Sequence, residues 1–160
     1  MHQLTTVAPA FVDIAHRIVW CTVATTTPEG RPRTRVLHPI WEWDGTALTG
    51  WIATSPLSPK AADLAAQPAV SLTYWDATQD TCTADCDVEW LHSTDERRAV
   101  WDRFVAAPPP LGYDPRLIPA WTSPDADGFG VIQLTPARLR VMPGSRVSSG
   151  DGDVLSWRRH

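Results

Sequence analysis

The chain has 160 residues, 43% of them apolar and 20% charged, which is enough for one cored domain and excludes wholesale disorder. A formal net charge of −4 argues against broad electrostatic binding to nucleic acid or to an anionic membrane surface. There is no apolar run of roughly 18 residues to span a membrane, no basic region followed by an apolar stretch at the N-terminus, and three cysteines form no disulfide framework, so a cytoplasmic protein is expected.

The segment Pro9–Ile18 reads as a short amphipathic helix and passes into the β-branched run Val19–Thr27, closed by the turn Pro28-Glu29-Gly30. Residues 31–43 (RPRTRVLHPIWEW) follow as a second strand. Asp44-Gly45 is a hairpin signal into a third strand over 46–53. Ser58 and Pro59, before an alanine-rich run, read as the N-cap and first position of a short helix that Pro68 closes. Lys60 then sits in the first turn, where the helix dipole disfavours a cation. A fourth strand is expected over 69–75.

Alternation is clearest over Thr81–His92. It turns Cys82, Ala84, Cys86, Val88, Trp90 and His92 inward and leaves Asp85, Asp87, Glu89 and Leu91 on the solvent side. Cys82, Cys86 and His92 are therefore read as core and strand residues, not as a zinc set, which needs four ligands; no metal is expected. The acidic face reads as solvated, and Cys21 as a buried structural thiol, although His16 or His38 could in principle serve it as a base. Ser93 and Glu96 have capping-box spacing ahead of a helix with the stripe Val100, Trp101, Phe104 and Val105. The Pro/Gly-rich stretch 108–128 is long for a connector and reads as a lid, a dimer arm or an ordered surface loop. Residues 129–136 and 138–143 read as two further strands, and the tail could dock Asp153–Arg159 as a last edge. Six or so antiparallel strands with short helices predict a small barrel in a single domain over 1–143, with 144–160 as a C-terminal tail.

No glycine-rich phosphate loop of Walker or Rossmann type is present, and no G-x-S-x-G elbow. What remains is basic. Arg31, Arg33 and Arg35 alternate on one face of the second strand, and Ser58 and Lys60 stand at a helix start. A phosphate there would account for Lys60; a lysine snorkelling to solvent beside an exposed arginine face is the alternative.

The order GRPRTRVLHPIWEWDG … WIATSPLSPKAADLAAQPAVSLTYW resembles the pyridoxamine-phosphate-oxidase-like, flavin-binding split-barrel family, with Ser58, Lys60, Leu64, Pro68, Val70 and Leu72 in its S-x-K-x-x-x-L-x-x-x-P-x-V-x-L pattern. The stretch GYDP…DGFGVIQLTPARLRV looks like an actinobacterial-type branch, so the likeness spans roughly residues 10–143. The resemblance implies a mainly β fold, a six-stranded antiparallel split β-barrel with short flanking α-helices, dimerising with FMN at the subunit interface. By position, Arg35, Val36, Leu37 and His38 would lie along the flavin, Ala53 and Thr54 at its ring or ribityl side, and Ser58 and Lys60 with Arg35 at the phosphate. Pro59 stands where the founding oxidases have a second basic residue, and their substrate-phosphate residues have no match here. Three functions follow: an FMN-dependent oxidoreductase acting on a small molecule, a deazaflavin (F420) reductase, or a non-catalytic flavin- or heme-binding, stress-related dimer. F420 would want more cations than the segment after Lys60 carries, unless Arg158, Arg159 or the partner supplies them. Heme would want an axial histidine such as His38, His92 or His16. The far wall of the pocket is expected from the Pro-rich loop and Trp121 or Trp157. His38 is the nearest titratable candidate for proton transfer, and no catalytic residue is assigned.

Overall fold

The protein is described here by a computed structural model covering residues 1–159. Helix α1 (Leu4–Ile18) buries Val7, Phe11, Ile14 and Ala15 along one stripe. It starts ahead of the expected Pro9, which lies inside it. Pro9 and Thr5 are both exposed, so the hydrogen bond that Pro9 cannot donate is lost on the solvent side.

Strands β1 (Cys21–Thr26), β2 (Pro32–Leu37), β3 (Pro39–Trp43), β4 (Leu48–Thr54), β5 (Ala69–Trp75), β6 (Thr81–Leu91), β7 (Gly130–Met142) and β8 (Leu155–Arg158) form one antiparallel sheet. Its order is β2-β1-β5-β6-β7-β4-β3, with β8 on the half of β7 that β4 leaves unpaired. Strands β2 and β3 end this order, yet only His38 separates them in sequence. Two Cα steps hold Leu37 and Pro39 within about 7.6 Å. The sheet must therefore curl until its two edges meet, giving a barrel with an unbonded seam. This is the expected split barrel.

The strands differ from the expected ones at two places. Residues 31–43 are two strands, not one: Pro39 has no N–H and restricts His38, so the ladder breaks there. The two strands expected either side of Ala137 are one, β7, with Pro136 inside it. Opposite Pro136 the β6–β7 register shifts between Asp85 and Cys86, a bulge at the place where proline lacks its donor. The tail docks as the expected last edge, through β8 against β7.

Two apolar cores flank the sheet. Inside the barrel, Phe11 of α1 meets Trp41 and Tyr74 edge-on, and the Trp41 indole N–H donates to the Tyr74 hydroxyl at 2.9 Å. Gly50 faces Trp41 across β3–β4, and a Cβ there would lie 2.6 Å from the indole ring. Outside, Ile40, Trp51 and Val131 pack on Trp101 and Phe104 of α3 (Thr94–Ala106) and on Trp121 and Phe129 of the long loop. Ser93 and Glu96 form the expected capping box on α3, whereas Val105, expected in its apolar stripe, is exposed. The alternation of β6 holds through Trp90, with Val88 and Trp90 packed on the barrel core and Asp87 and Glu89 exposed, and inverts only at the strand's end. Leu91 is buried in the outer core and His92 is exposed, because the strand's end lies between both cores. Helix α2 (Lys60–Ala66) is about two turns long and α4 (Ser145–Ser148) about one, each lying between two strands. Among the described residues, no helix is long and apolar enough to cross a membrane.

Candidate functional site at the barrel seam

Strand β2 pairs with β1 so that Arg33 faces Thr25 and Arg35 faces Val23. Thr25, Val23 and Cys21 are the buried positions of β1, so Arg33 and Arg35 are directed towards the end of the barrel that α2 covers. Arg31 lies before β2, in the turn, where its N–H donates to the Thr27 hydroxyl. The partner of the two arginines is one that sequence reasoning missed, Asp63 of α2, 1% exposed. The Thr25 hydroxyl donates to its carboxylate at 2.7 Å, Arg35 donates to Thr25 at 2.8 Å and to Asp63 at 3.3 Å, and Arg33 stands 3.9 Å from it. The Thr25 hydroxyl first, then Arg33 and Arg35, hold the Asp63 carboxyl below the usual carboxylate range. A lone carboxylate on the buried face of an alanine-rich helix, three residues after Lys60, was the sequence signal.

Lys60, the sole lysine of the chain, is 8% exposed. Its ammonium donates to the Ser58 hydroxyl at 2.5 Å and, among the described residues, has no carboxylate within salt-bridge reach. Burial first, then the neighbouring Arg35 charge, pushes its pKa down. Lys60 therefore does not snorkel to solvent. Ser58 does not cap α2 as expected: its hydroxyl donates to the Ser55 carbonyl at 2.7 Å, and Pro59 occupies the N-cap without a side-chain bond. Three cations against the one carboxylate of Asp63 leave an excess of positive charge gathered at the end of the barrel.

One residue along β2 from Arg35, a cavity of about 440 Å³ opens at the seam. The structure brings together there five of the predicted residues: Val36, Leu37 and His38 from the β2 end, Ala53 and Thr54 from β4. Arg35, Ser58 and Lys60 do not line this cavity; they form the separate cation cluster, which connects to it through Val36 on one strand and through the 55–59 turn after Thr54 on the other. The opposite wall is the long loop, through Pro110, Tyr113, Leu117, Ile118 and Trp121. The loop is held in place by Trp121 and Leu111, both buried, with Trp121 edge-on to Phe129. Trp157, the other candidate for that wall, packs by the barrel core near Leu4 and Leu48 instead. Trp20, which the sequence did not single out, completes the rim.

His38 is 8% exposed, ringed by Trp20, Phe104 and Tyr113 at centroid distances of 5.1, 5.6 and 5.2 Å, and its Nε2 has no hydrogen-bond partner. Burial pushes its pKa down, partly opposed by the Leu111 backbone carbonyl. Burial also raises the Tyr113 phenol to about 12. The other notable titratable groups are committed elsewhere. His16 Nε2 accepts the Trp41 backbone N–H at 3.0 Å, and burial raises the Cys21 thiol to about 12. Cys82 and Cys86 are buried free thiols, and Arg159 pairs with Asp87.

The fold is thus an antiparallel split barrel with a cation cluster and an apolar cavity at its seam. The family model for pyridoxamine 5'-phosphate oxidase matches residues 7–142, and the chain belongs to that family. Among solved structures it is similar to a pyridoxamine 5'-phosphate oxidase-related, FMN binding protein of Nostoc punctiforme, at 17% identity and a TM-score of 0.71 over 95% of this chain and 90% of that one. It is similar to a heme binding protein of Mycobacterium smegmatis, at 20% identity and 0.66 over 99% of this chain and 59% of that one. General Stress Protein 26 of Bacillus anthracis gives 12% identity and 0.64 over 93% and 97%. At these identities the likeness carries the fold. No curated protein matches the chain by sequence.

Proposed function

We propose that this protein is an FMN-binding oxidoreductase that works as a homodimer, with the flavin phosphate in the cation cluster and the ring in the seam cavity. The observation that carries it is Lys60, a buried ammonium with a hydroxyl for a partner and another cation beside it. Such a group is costly to bury alone and is accounted for by an anion of about two negative charges, as a phosphate monoester carries near neutral pH. Lys60 and Ser58 would hold that phosphate directly, while Asp63 and Thr25 fix the direction of Arg35. The free edge of β2 at Val36–His38 and the buried Thr54 would orient the ring. When bound, the flavin supplies the redox chemistry, and the protein supplies binding, orientation and exclusion of water. The dimer is supported by the cavity's rim, where Trp20, Val36 and Leu117 are 59%, 63% and 76% exposed, a continuous apolar surface suited to a second copy.

The test is the visible spectrum of protein purified with FMN, with the released chromophore identified by mass and the size measured in solution. Oxidised-flavin bands near one per chain on a dimer are expected. F420 bound in preference to FMN, or a Soret band from heme on His38 Nε2, would replace the reading. A monomer with bound flavin would remove the dimer alone.

A further inference from the structure

A second cavity, of about 300 Å³, opens where the ends of β6 and β7 meet α3 and the turn after β4. It shares no lining residue with the seam cavity, although the two are neighbours: Thr54 lines the one, and Gly130, its register partner across β4–β7, lines the other. Trp90, Leu91, Phe129 and Pro56 give it apolar walls. Its only ionisable groups are Arg97 and His92, and no carboxylate lines it. Ligand pockets run from about 300 to 1,000 Å³, so one of this size suits a single-ring molecule.

Arg97 is the fourth residue of α3, at the positive end of the helix dipole, where a cation is disfavoured. It is partly buried, while Glu96 and Arg98 on either side are exposed. Its Nη1 donates to the Phe129 carbonyl at 3.1 Å, a neutral acceptor, and its Nε is buried with no hydrogen-bond partner, a state that native structures rarely leave unsatisfied. Carboxylates around this turn are used elsewhere: Glu96 accepts the Ser93 N–H in the capping box, and Asp125 pairs with Arg98. Among the described residues, no carboxylate stands within salt-bridge reach of Arg97. A guanidinium without a counter-charge, beside an apolar pocket, is matched by one carboxylate, which its planar fork can hold through two parallel N–H donors. A phosphate dianion would bring more negative charge than one cation offsets, and an uncharged ligand would leave the cation unpaired. We infer that this pocket binds a small, single-ring monocarboxylate, its carboxylate on Arg97 and its ring on the walls formed by Trp90 and Pro56. Neither Arg97 nor these walls belong to the flavin site, so occupancy of the pocket does not depend on FMN.

The probes are benzoate, benzamide, which keeps the ring and loses the charge, and phenyl phosphate, which carries a second charge. Each is titrated calorimetrically into the full chain, without FMN and then with FMN in excess. Benzoate is expected to bind in both states, and benzamide about tenfold more weakly or worse. Arg97→Gln, which keeps a donor for the Phe129 carbonyl, should cost benzoate about tenfold or more and bring it level with benzamide. Arg97→Lys should recover part of that loss, and phenyl phosphate should lose less than benzoate does in Arg97→Gln. Should Arg97→Gln fail to fold, as read from its thermal melt, Ala61→Leu decides instead: it fills the pocket, leaves the cation in place and should abolish benzoate binding. Failure of benzoate to bind, equal affinities for benzoate and benzamide, benzoate binding untouched by Arg97→Gln or Ala61→Leu, phenyl phosphate losing more than benzoate, or displacement of benzoate by FMN would overturn the inference. A chain that takes up no FMN loses the flavin reading alone, and the Arg97 variants still decide this pocket.

Discussion

Lys60→Met separates the phosphate reading from every account in which Lys60 is a structural residue. Methionine keeps the buried apolar stem and removes the ammonium. If that ammonium donates to a phosphate, its loss removes one charge-assisted hydrogen bond, worth about 1.5–3 kcal/mol, or about 10- to 150-fold in FMN affinity. Riboflavin, which has no phosphate, should lose no more than about twofold. The FMN-free protein should respond in the opposite direction. Burial and Arg35 already push the Lys60 pKa down, so the charge burdens the empty fold, and Lys60→Met should raise its melting temperature. The assays are flavin-fluorescence titrations with both ligands and a thermal melt without either. FMN and riboflavin weakened equally, or FMN unaffected, would refute the phosphate assignment. A lower melting temperature without flavin would show that the ammonium is satisfied within the protein.

Two further outcomes follow from the core and from the buried histidines. Gly50→Ala puts a Cβ 2.6 Å from the Trp41 ring, which is pinned by Tyr74 and Phe11 and cannot yield cheaply. Overpacking of this kind costs about 1–3 kcal/mol, a fall of about 2–12 °C in melting temperature for a domain of this size; Trp41→Phe should recover part of it in a double-mutant cycle, and an unchanged melt of Gly50→Ala would sink the packing account. Stability should also fall as pH drops below 6.5, the unfolded value of both His16 and His38, and keep falling to their folded values. The sign follows from burial: it lowers both folded pKa values, so the unfolded chain takes up protons first. Asp63 and Asp76, also lowered, act only below about 3.8 and leave that window to the histidines. His16→Gln, which can still accept the Trp41 N–H, should flatten the slope between pH 6.5 and 5; a parent melting temperature that is level from pH 7.5 to 5 would contradict this.

Much of this architecture is legible in the sequence where the chain carries local signals. Asp44-Gly45 makes its hairpin because Gly45 takes a φ of 94° and Asp44 Oδ1 accepts the N–H groups of Thr46 and Ala47. Ser93 and Glu96 close α3 reciprocally. The failures fall where a local signal is answered by something distant. Pro136 argues for a strand end, and a bulge beside it, where β7 carries one residue more than β6, lets β7 continue. Residues 31–43 read as one strand because nothing local says that β2 and β3 belong to opposite edges of the sheet. Asp63 acquires its partners, Thr25 of β1 and Arg35 of β2, only once both strands are folded against α2. The cavity residues of β2 and β4 were within reach of motif reading, but the orphaned Nε2 of His38 exists only once Phe104, Tyr113 and Leu111 surround the ring.

The seam explains why these features coincide. Strand β2 pairs with β1 on one side only, so the backbone groups along its other edge have no strand to satisfy them. An open edge is a hazard for soluble proteins, which blunt it with short length, charge or a cover. Here β2 is six residues long and carries Arg33 and Arg35, but Val36 is exposed and apolar at the point where the edge turns into the cavity. Closing the barrel there would satisfy the edge and abolish the cavity. Leaving it split keeps backbone donors and acceptors beside an apolar slot, with a cation cluster one residue away. A planar ligand with a polar rim and an anionic tail satisfies all three at once. An edge so covered has less reason to recruit another strand, so ligand binding and resistance to edge-to-edge association should rise together.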